Sequence, residues 1–272
     1  MLKAVCVASA LVAGALGATP AFAQRPTITL DELGLSQAQF DALIAEHLAT
    51  ASSPGIAFGS PVAFGAGWGE IGFGVGGTTL PKRSRADVDG SFGVVFGLGD
   101  PNRYVGLETS VNLISLRRSF GDDGNVGLKL HTVLPGSAAF AIGVDNIGRW
   151  GRAKFGSSSV YAVGTKIFRL APNSSNVLPL SVNLGIGDNR FSDLDHPNAS
   201  VFGGLAFFPI RQLSLIADYS ERSVNAGVSV APFSQIPATL TVGATNLTKQ
   251  DQGTQFGRDT EFTAAVGYSV RF

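Results

Sequence analysis

Nine ionisable side chains, Glu70, Glu108, Lys129, His131, Asp145, Lys166, Asp218, Glu261 and Arg271, stand at alternate positions of segments whose other positions are largely apolar. Successive side chains of an extended chain point to opposite faces, so this set belongs to the polar faces of strands. Two kinds of chemistry follow. Opposite charges on neighbouring strands can pair across a sheet, Glu108 with Lys129 for instance, and so neutralise and hydrate an interior. The same residues can instead form a selectivity ring around an aqueous pore. Alternation places the charges on one face but leaves open which of them meet.

Other chemistry has less to stand on. The histidines are His47, His131 and His196, and none has a Ser/Asp arrangement at a spacing suited to acyl transfer. No enzymatic activity is expected. Asp193-Leu194-Asp195-His196, with Asp188 nearby, offers oxygen and imidazole donors for a cation, but also reads as a hydrated loop without fixed ligand spacing. Gly72, Gly74, Gly76 and Gly77 spell G-x-G-x-G-G inside a strand pattern, not at the strand-to-helix turn that a phosphate loop needs. The single cysteine is Cys6, so past the leader the chain has no thiol, disulfide or cysteine metal site. No cofactor and no metal are expected.

The elements that position the charges are strands. The last, E-F-T-A-A-V-G-Y-S-V-R-F (Glu261–Phe272), puts Phe262, Ala264, Val266, Tyr268, Val270 and Phe272 on one face. Glu261, Thr263, Ala265, Gly267, Ser269 and Arg271 fall on the other. A wholly apolar face backed by a small and polar one suits lipid outside and a polar lumen inside, although an amphipathic strand closing a soluble sandwich shares the pattern. Phe262, Val266, Tyr268, Val270 and the terminal Phe272 resemble the C-terminal insertion signal of bacterial outer-membrane barrels. That likeness implies recognition by the barrel-assembly machinery.

Apolar alternation predicts eleven earlier strands: Trp68–Thr79, Val88–Leu98, Arg103–Leu116, Asn125–Leu134, Ala138–Ile147, Ser158–Arg169, Val177–Gly187, Ala199–Phe208, Arg211–Ser220, Ser223–Ala231 and Ile236–Asn246. Most approach or exceed the roughly 9–11 residues a tilted strand needs to cross a bilayer. Val160–Arg169 and Val201–Phe208 alternate less cleanly, and their facing is open. Short proline-bearing turns, such as Gly99–Asn102 and Pro135–Ser137, take turns with longer polar connections, such as Arg117–Gly124 and Asp188–Asn198. Leu170–Asn176 is long where a short turn is expected, and Glu221-Arg222 the reverse. Tight turns at one end and long loops at the other are the habit of bacterial barrels, with an even strand count returning both termini to the periplasm.

Balanced charge, with Lys+Arg 20 against Asp+Glu 20, excludes the basic surface of a nucleic-acid binder. Mean hydropathy is +0.23, yet beyond the first two dozen residues no run is apolar enough for a membrane helix of about 20 residues. Lys3, the apolar run Ala4–Gly17 and the A-x-A site Ala21-Phe22-Ala23 predict a signal peptide over 1–23. Residues 24–60 are expected to be a periplasmic segment with an amphipathic helix over 36–49, opened by the capping box Ser36-Gln37-Ala38-Gln39. Phe40, Leu43, Ile44 and Leu48 line one face of that helix, which either packs on the barrel mouth or enters the lumen as a plug. The barrel is expected over 61–272.

Three stretches, Phe96–Leu116, Leu180–Phe191 and Leu213–Pro232, carry an N-x-R-F ending, an A-D-Y strand and an N-x-G-V strand. In these the chain resembles the YjbH-type outer-membrane β-barrel proteins. The resemblance implies a part in exopolysaccharide production or export and polysaccharide as a partner; it transfers no functional residue. The chain thus reads as all-β, a closed antiparallel transmembrane β-barrel of about 12 strands with a short N-terminal amphipathic helix, set in lipid of the bacterial outer membrane. Porin-like passage of small solutes or glycan is the first expected function. A non-conducting structural or interaction barrel, tied to exopolysaccharide production or envelope assembly, is the alternative.

Overall fold

A computed structural model describes residues 53–80, 88–117, 119–171, 178–191, 199–220, 223–233, 235–248 and 259–272. The expected signal peptide and the helix over 36–49 lie outside the described residues.

Twelve antiparallel strands close into one barrel in sequence order. They are β1 (Glu70–Thr79), β2 (Val88–Gly99), β3 (Gly106–Leu113), β4 (Gly124–Leu134), β5 (Ala138–Trp150) and β6 (Ser159–Arg169). The ring continues with β7 (Pro179–Gly187), β8 (Ser200–Ile210), β9 (Leu213–Ser220), β10 (Ser223–Val230), β11 (Ala238–Thr245) and β12 (Glu261–Arg271). Closure is made by β1 against β12, in register from Glu70 opposite Arg271 to Thr78 opposite Thr263. Closing the ring leaves no open strand edge, and the ladders run in register except for irregularities between β4 and β5 and between β8 and β9.

The ends of the barrel differ. Where β1 begins and β12 finishes, the connections are 100–105, 135–137, 170–178, 211–212 and 231–237. At the opposite end they are 80–87, 114–123, 151–158, 188–199, 221–222 and 246–260. In the tight turn after β4, Gly136 and Ser137 both take positive φ, which reverses the chain in few residues. At the long-loop end, Arg152 Nε pairs with Asp123 at 2.7 Å and Trp150 Nε1 donates to the Gly121 carbonyl at 2.8 Å, tying the β3–β4 and β5–β6 connections together.

Outward positions are apolar along nearly every strand, for example Phe73, Leu130, Ile142, Leu184, Leu215 and Val266, all well exposed. Inward positions divide into two sectors. From β10 round to β3 most are small and polar, Ser229, Thr241, Thr263, Ser269, Ser91 and Asn112 among them, with Val95, Glu70 and Glu108 also buried there. From β4 to β9 they include Val133, Ala141, Val163, Phe202, Phe208 and Ile216, which form an apolar cluster. This explains the unclear alternation of β6 and β8. Both their faces are apolar, because the inner one packs against protein.

What it packs against is the chain itself. Residues 54–67 lie inside the ring, buried or half-buried throughout, with Ile56, Phe58, Val62 and Phe64 joined to the apolar cluster. This strap has no strand partner of its own; pairing with the sheet begins at a bridge from Trp68 to Gly97.

Candidate functional site

The strap carries no charged residue, and its backbone amides and carbonyls must find partners inside the barrel or remain unpaired at a cost. The wall supplies them. Near the start of β9 and the end of β10, at the short-turn end, Ser214 Oγ donates to the Gly55 carbonyl at 2.6 Å, and Ser229 Oγ accepts the Gly55 N–H at 2.9 Å. The chain then rises into the barrel, crosses, and descends along β7, β6, β4 and β3 to rejoin the short-turn end at β1.

Two side-chain groups hold its deepest and its last part. Asp218, inward on β9, accepts three consecutive amides on Oδ2: Phe58 at 2.8 Å, Gly59 at 2.7 Å and Ser60 at 3.3 Å. Its Oδ1 takes a fourth bond from Asn225 Nδ2 at 2.9 Å, on the neighbouring strand and directly opposite in register. Successive N–H groups turned to one point make a nest for an anion, here a carboxylate that is 4% exposed. The second group is Glu108, Lys129 and His131. Glu108 and Lys129 face each other across β3 and β4 and pair at 2.8 Å. Glu108 Oε2 also accepts the Ala66 N–H at 2.7 Å, and Lys129 Nζ donates to the Phe64 carbonyl at 2.8 Å. His131 Nε2 donates to the Ala66 carbonyl at 3.0 Å. The two side chains of Glu108 and His131 thus grip both polar groups of one residue, as a neighbouring strand would.

Between these groups Asn183 Nδ2 reaches Ser60 Oγ at 2.8 Å, and Thr165 Oγ1 accepts the Ala63 N–H at 2.9 Å. Arg190, from the connection after β7, pairs with Asp145 at 2.8 Å and donates to the Gly59 carbonyl at 3.3 Å. Close approach is possible because the wall is bare in places. A Cβ on Gly97 would collide with the Ala66 carbonyl, and one on Gly227 or Gly243 would meet the Phe58 ring at 3.0 or 2.7 Å. A cavity of about 40 Å³ is left beside the strap, lined by Val62, Glu108, Ser110, Lys129, Asp145 and Arg190. That is room for a water or two.

The nine charged positions are now placed. Glu108, Lys129, His131 and Asp218 are inward and buried, and all four touch the strap. Asp145 points inward to Arg190. Glu70 accepts the Gly67 N–H at 2.7 Å, with the largely exposed Arg271 at 3.9 Å. Glu261 begins β12 at the long-loop end, opposite Thr245. Lys166 is on the other face from that expected. Thr165 meets the strap, so Lys166 points outward, where Nζ donates to the Gly136 carbonyl at 2.6 Å. The apolar inner face of β6 hid the phase of that strand. Phe262, Val266, Tyr268 and Val270 are outward on β12, and Phe272 is exposed beyond it.

Arg190 and the strap were absent from the sequence-based site. The strap had one visible signal, the stretch from His47 to Gly69 without a single Asp, Glu, Lys or Arg. Among the described residues no three His, Cys, Asp or Glu side chains gather as a metal site.

The geometry defines a class: a closed twelve-stranded antiparallel β-barrel whose lumen is occupied by the segment preceding its first strand. No protein-family model and no curated protein matches the chain.

Proposed function

We propose that this chain is an outer-membrane β-barrel that does not conduct at rest, a structural or interaction barrel sealed by its own strap, in preference to an open porin. The observation that carries the reading is the burial of residues 54–67 inside the ring, bonded from Asp218 at one side to Glu108 at the other. Membrane placement is supported by the continuous apolar exterior. It is supported too by aromatic residues exposed near both ends, Trp68, Tyr104 and Phe272 at the short turns and Phe120, Phe155 and Phe262 at the long loops. Aromatic girdles around an apolar band are how such barrels meet two lipid–water interfaces. The leader and the apolar face of β12 fit export and handling by the assembly machinery.

A purified mature chain then requires detergent, runs at a different gel position before and after boiling, and leaves a planar bilayer silent. Solubility as a monomer without detergent would overturn the membrane reading; steady conductance from the unaltered chain would overturn the sealed one. The exopolysaccharide association rests on the sequence resemblance, and pull-down with cell-surface polysaccharide tests it separately.

A further inference from the structure

We propose that the strap is a gate, not a permanent filling, and that the lumen it uncovers passes cations selected by Asp218. The inference rests on the outer-membrane reading above and goes beyond it.

Three observations lead there. The strap belongs to no strand pairing, and its main chain is held by wall side chains, so its departure leaves all twelve ladders intact. It also enters and leaves at the same end of the barrel. Gly55 lies by Ser214 and Ser229, and Gly67 by Glu70, all near the short turns. A loop with both ends on one side can withdraw without threading. Four buried apolar side chains, Ile56, Phe58, Val62 and Phe64, keep it seated until something displaces it.

The third observation is the charge that withdrawal leaves behind. Glu108 keeps Lys129, Asp145 keeps Arg190 and Glu70 keeps Arg271. Asp218 keeps only Asn225, because its other three donors are strap amides and no cation of the described residues pairs with it. The emptied lumen therefore carries an uncompensated carboxylate partway along β9, facing a sector lined by Ser229, Thr239, Thr241, Thr263 and Ser269. Hydroxyls keep such a passage wet, and this carboxylate, with Asp89 held among the described residues only by Ser115 Oγ nearer the long loops, favours cations over anions within it.

The test uses the full mature chain in planar bilayers under a KCl gradient, with folding checked by heat-modifiable migration. Gly65→Leu crowds the strap from its own side, since a Cβ there meets Glu108 Oε2 and Lys129 Cε at 2.8 Å and the buried ion pair holds both side chains in place. Phe58→Ala empties the seat on Gly227 and Gly243. The wild type is expected to be silent. Either variant is expected to open in discrete steps with a reversal potential displaced to the cation side, and Asp218→Asn added to it reduces the displacement, which an unchanged reversal potential would contradict. Silence from both folded, inserted variants overturns the gate, and steps with an anion preference or none overturn the role of Asp218. Failure of the wild type to enter bilayers at all fells the outer-membrane reading and the gate with it, an outcome distinct from insertion without conduction.

Discussion

The carboxylate of Asp218 accepts the backbone N–H of Phe58 at 2.8 Å, across 160 residues of sequence. One inward acid on the ninth strand thereby fixes where the chain before the first strand must lie. A buried carboxylate is costly unless charge-assisted hydrogen bonds surround it, and three of the four here come from the strap. Acid and strap each satisfy what the other lacks.

Asp218→Ala should therefore cost more than Asp218→Asn. The alanine leaves three buried amides without an acceptor, a loss of about 3 kcal/mol or more, while the asparagine keeps one neutral acceptor. Unfolding in urea followed by gel shift measures both, and protease sensitivity of the strap should rise in the same order. Equal stability of the two variants would speak against the nest.

Glu108 and Lys129 should couple strongly. Replacing either alone, by Glu108→Gln or Lys129→Met, leaves the other charge buried at 6–8% exposure, which costs about 3–5 kcal/mol. The double substitution should be less damaging than the sum of the singles by about 1–3 kcal/mol, read from a double-mutant cycle. Strict additivity would mean that the pair is not a unit.

Phe58→Ala removes a ring seated on two glycines in a closed interior, where the surroundings have little room to collapse. A loss of about 3–5 kcal/mol is expected. Tyr104→Ala, at a side chain 79% exposed in the β2–β3 connection, should change stability by only about 0.5 kcal/mol in detergent. Comparable losses at the two sites would refute the view that the strap is part of the core.

The exterior makes its own prediction. Leu184, near the middle of β7, is 65% exposed, which water would tolerate and lipid would require. Leu184→Arg should cost about 2–4 kcal/mol when the barrel folds into bilayers. A neutral result in vesicles would remove the chain from the membrane.

Much of the frame was legible beforehand. Every strand lies where period-two alternation put it, to within a few residues at each end, because a sheet with unlike faces writes its geometry into the sequence at every second position. Faces were legible wherever those two sides differ. They failed at Lys166, on a strand whose inner side is Tyr161, Val163 and Thr165 and whose outer side is Val160 and Phe168. With apolar residues on both sides, parity had nothing to distinguish.

Alternation and turn chemistry, read along the chain, were enough for about twelve strands, an apolar face on most of them and an opposite face bearing Glu108, Lys129, His131 and Asp218. That the strands close, and what fills the closed ring, came from the folded chain. A strap of Gly, Ala, Ser and Pro with four large apolar residues has no period of its own, and apart from the Gly67–Glu70 bond its side-chain partners lie 42 to 174 residues away. Contacts at that separation depend on register and closure, and no local window of the chain can hold them.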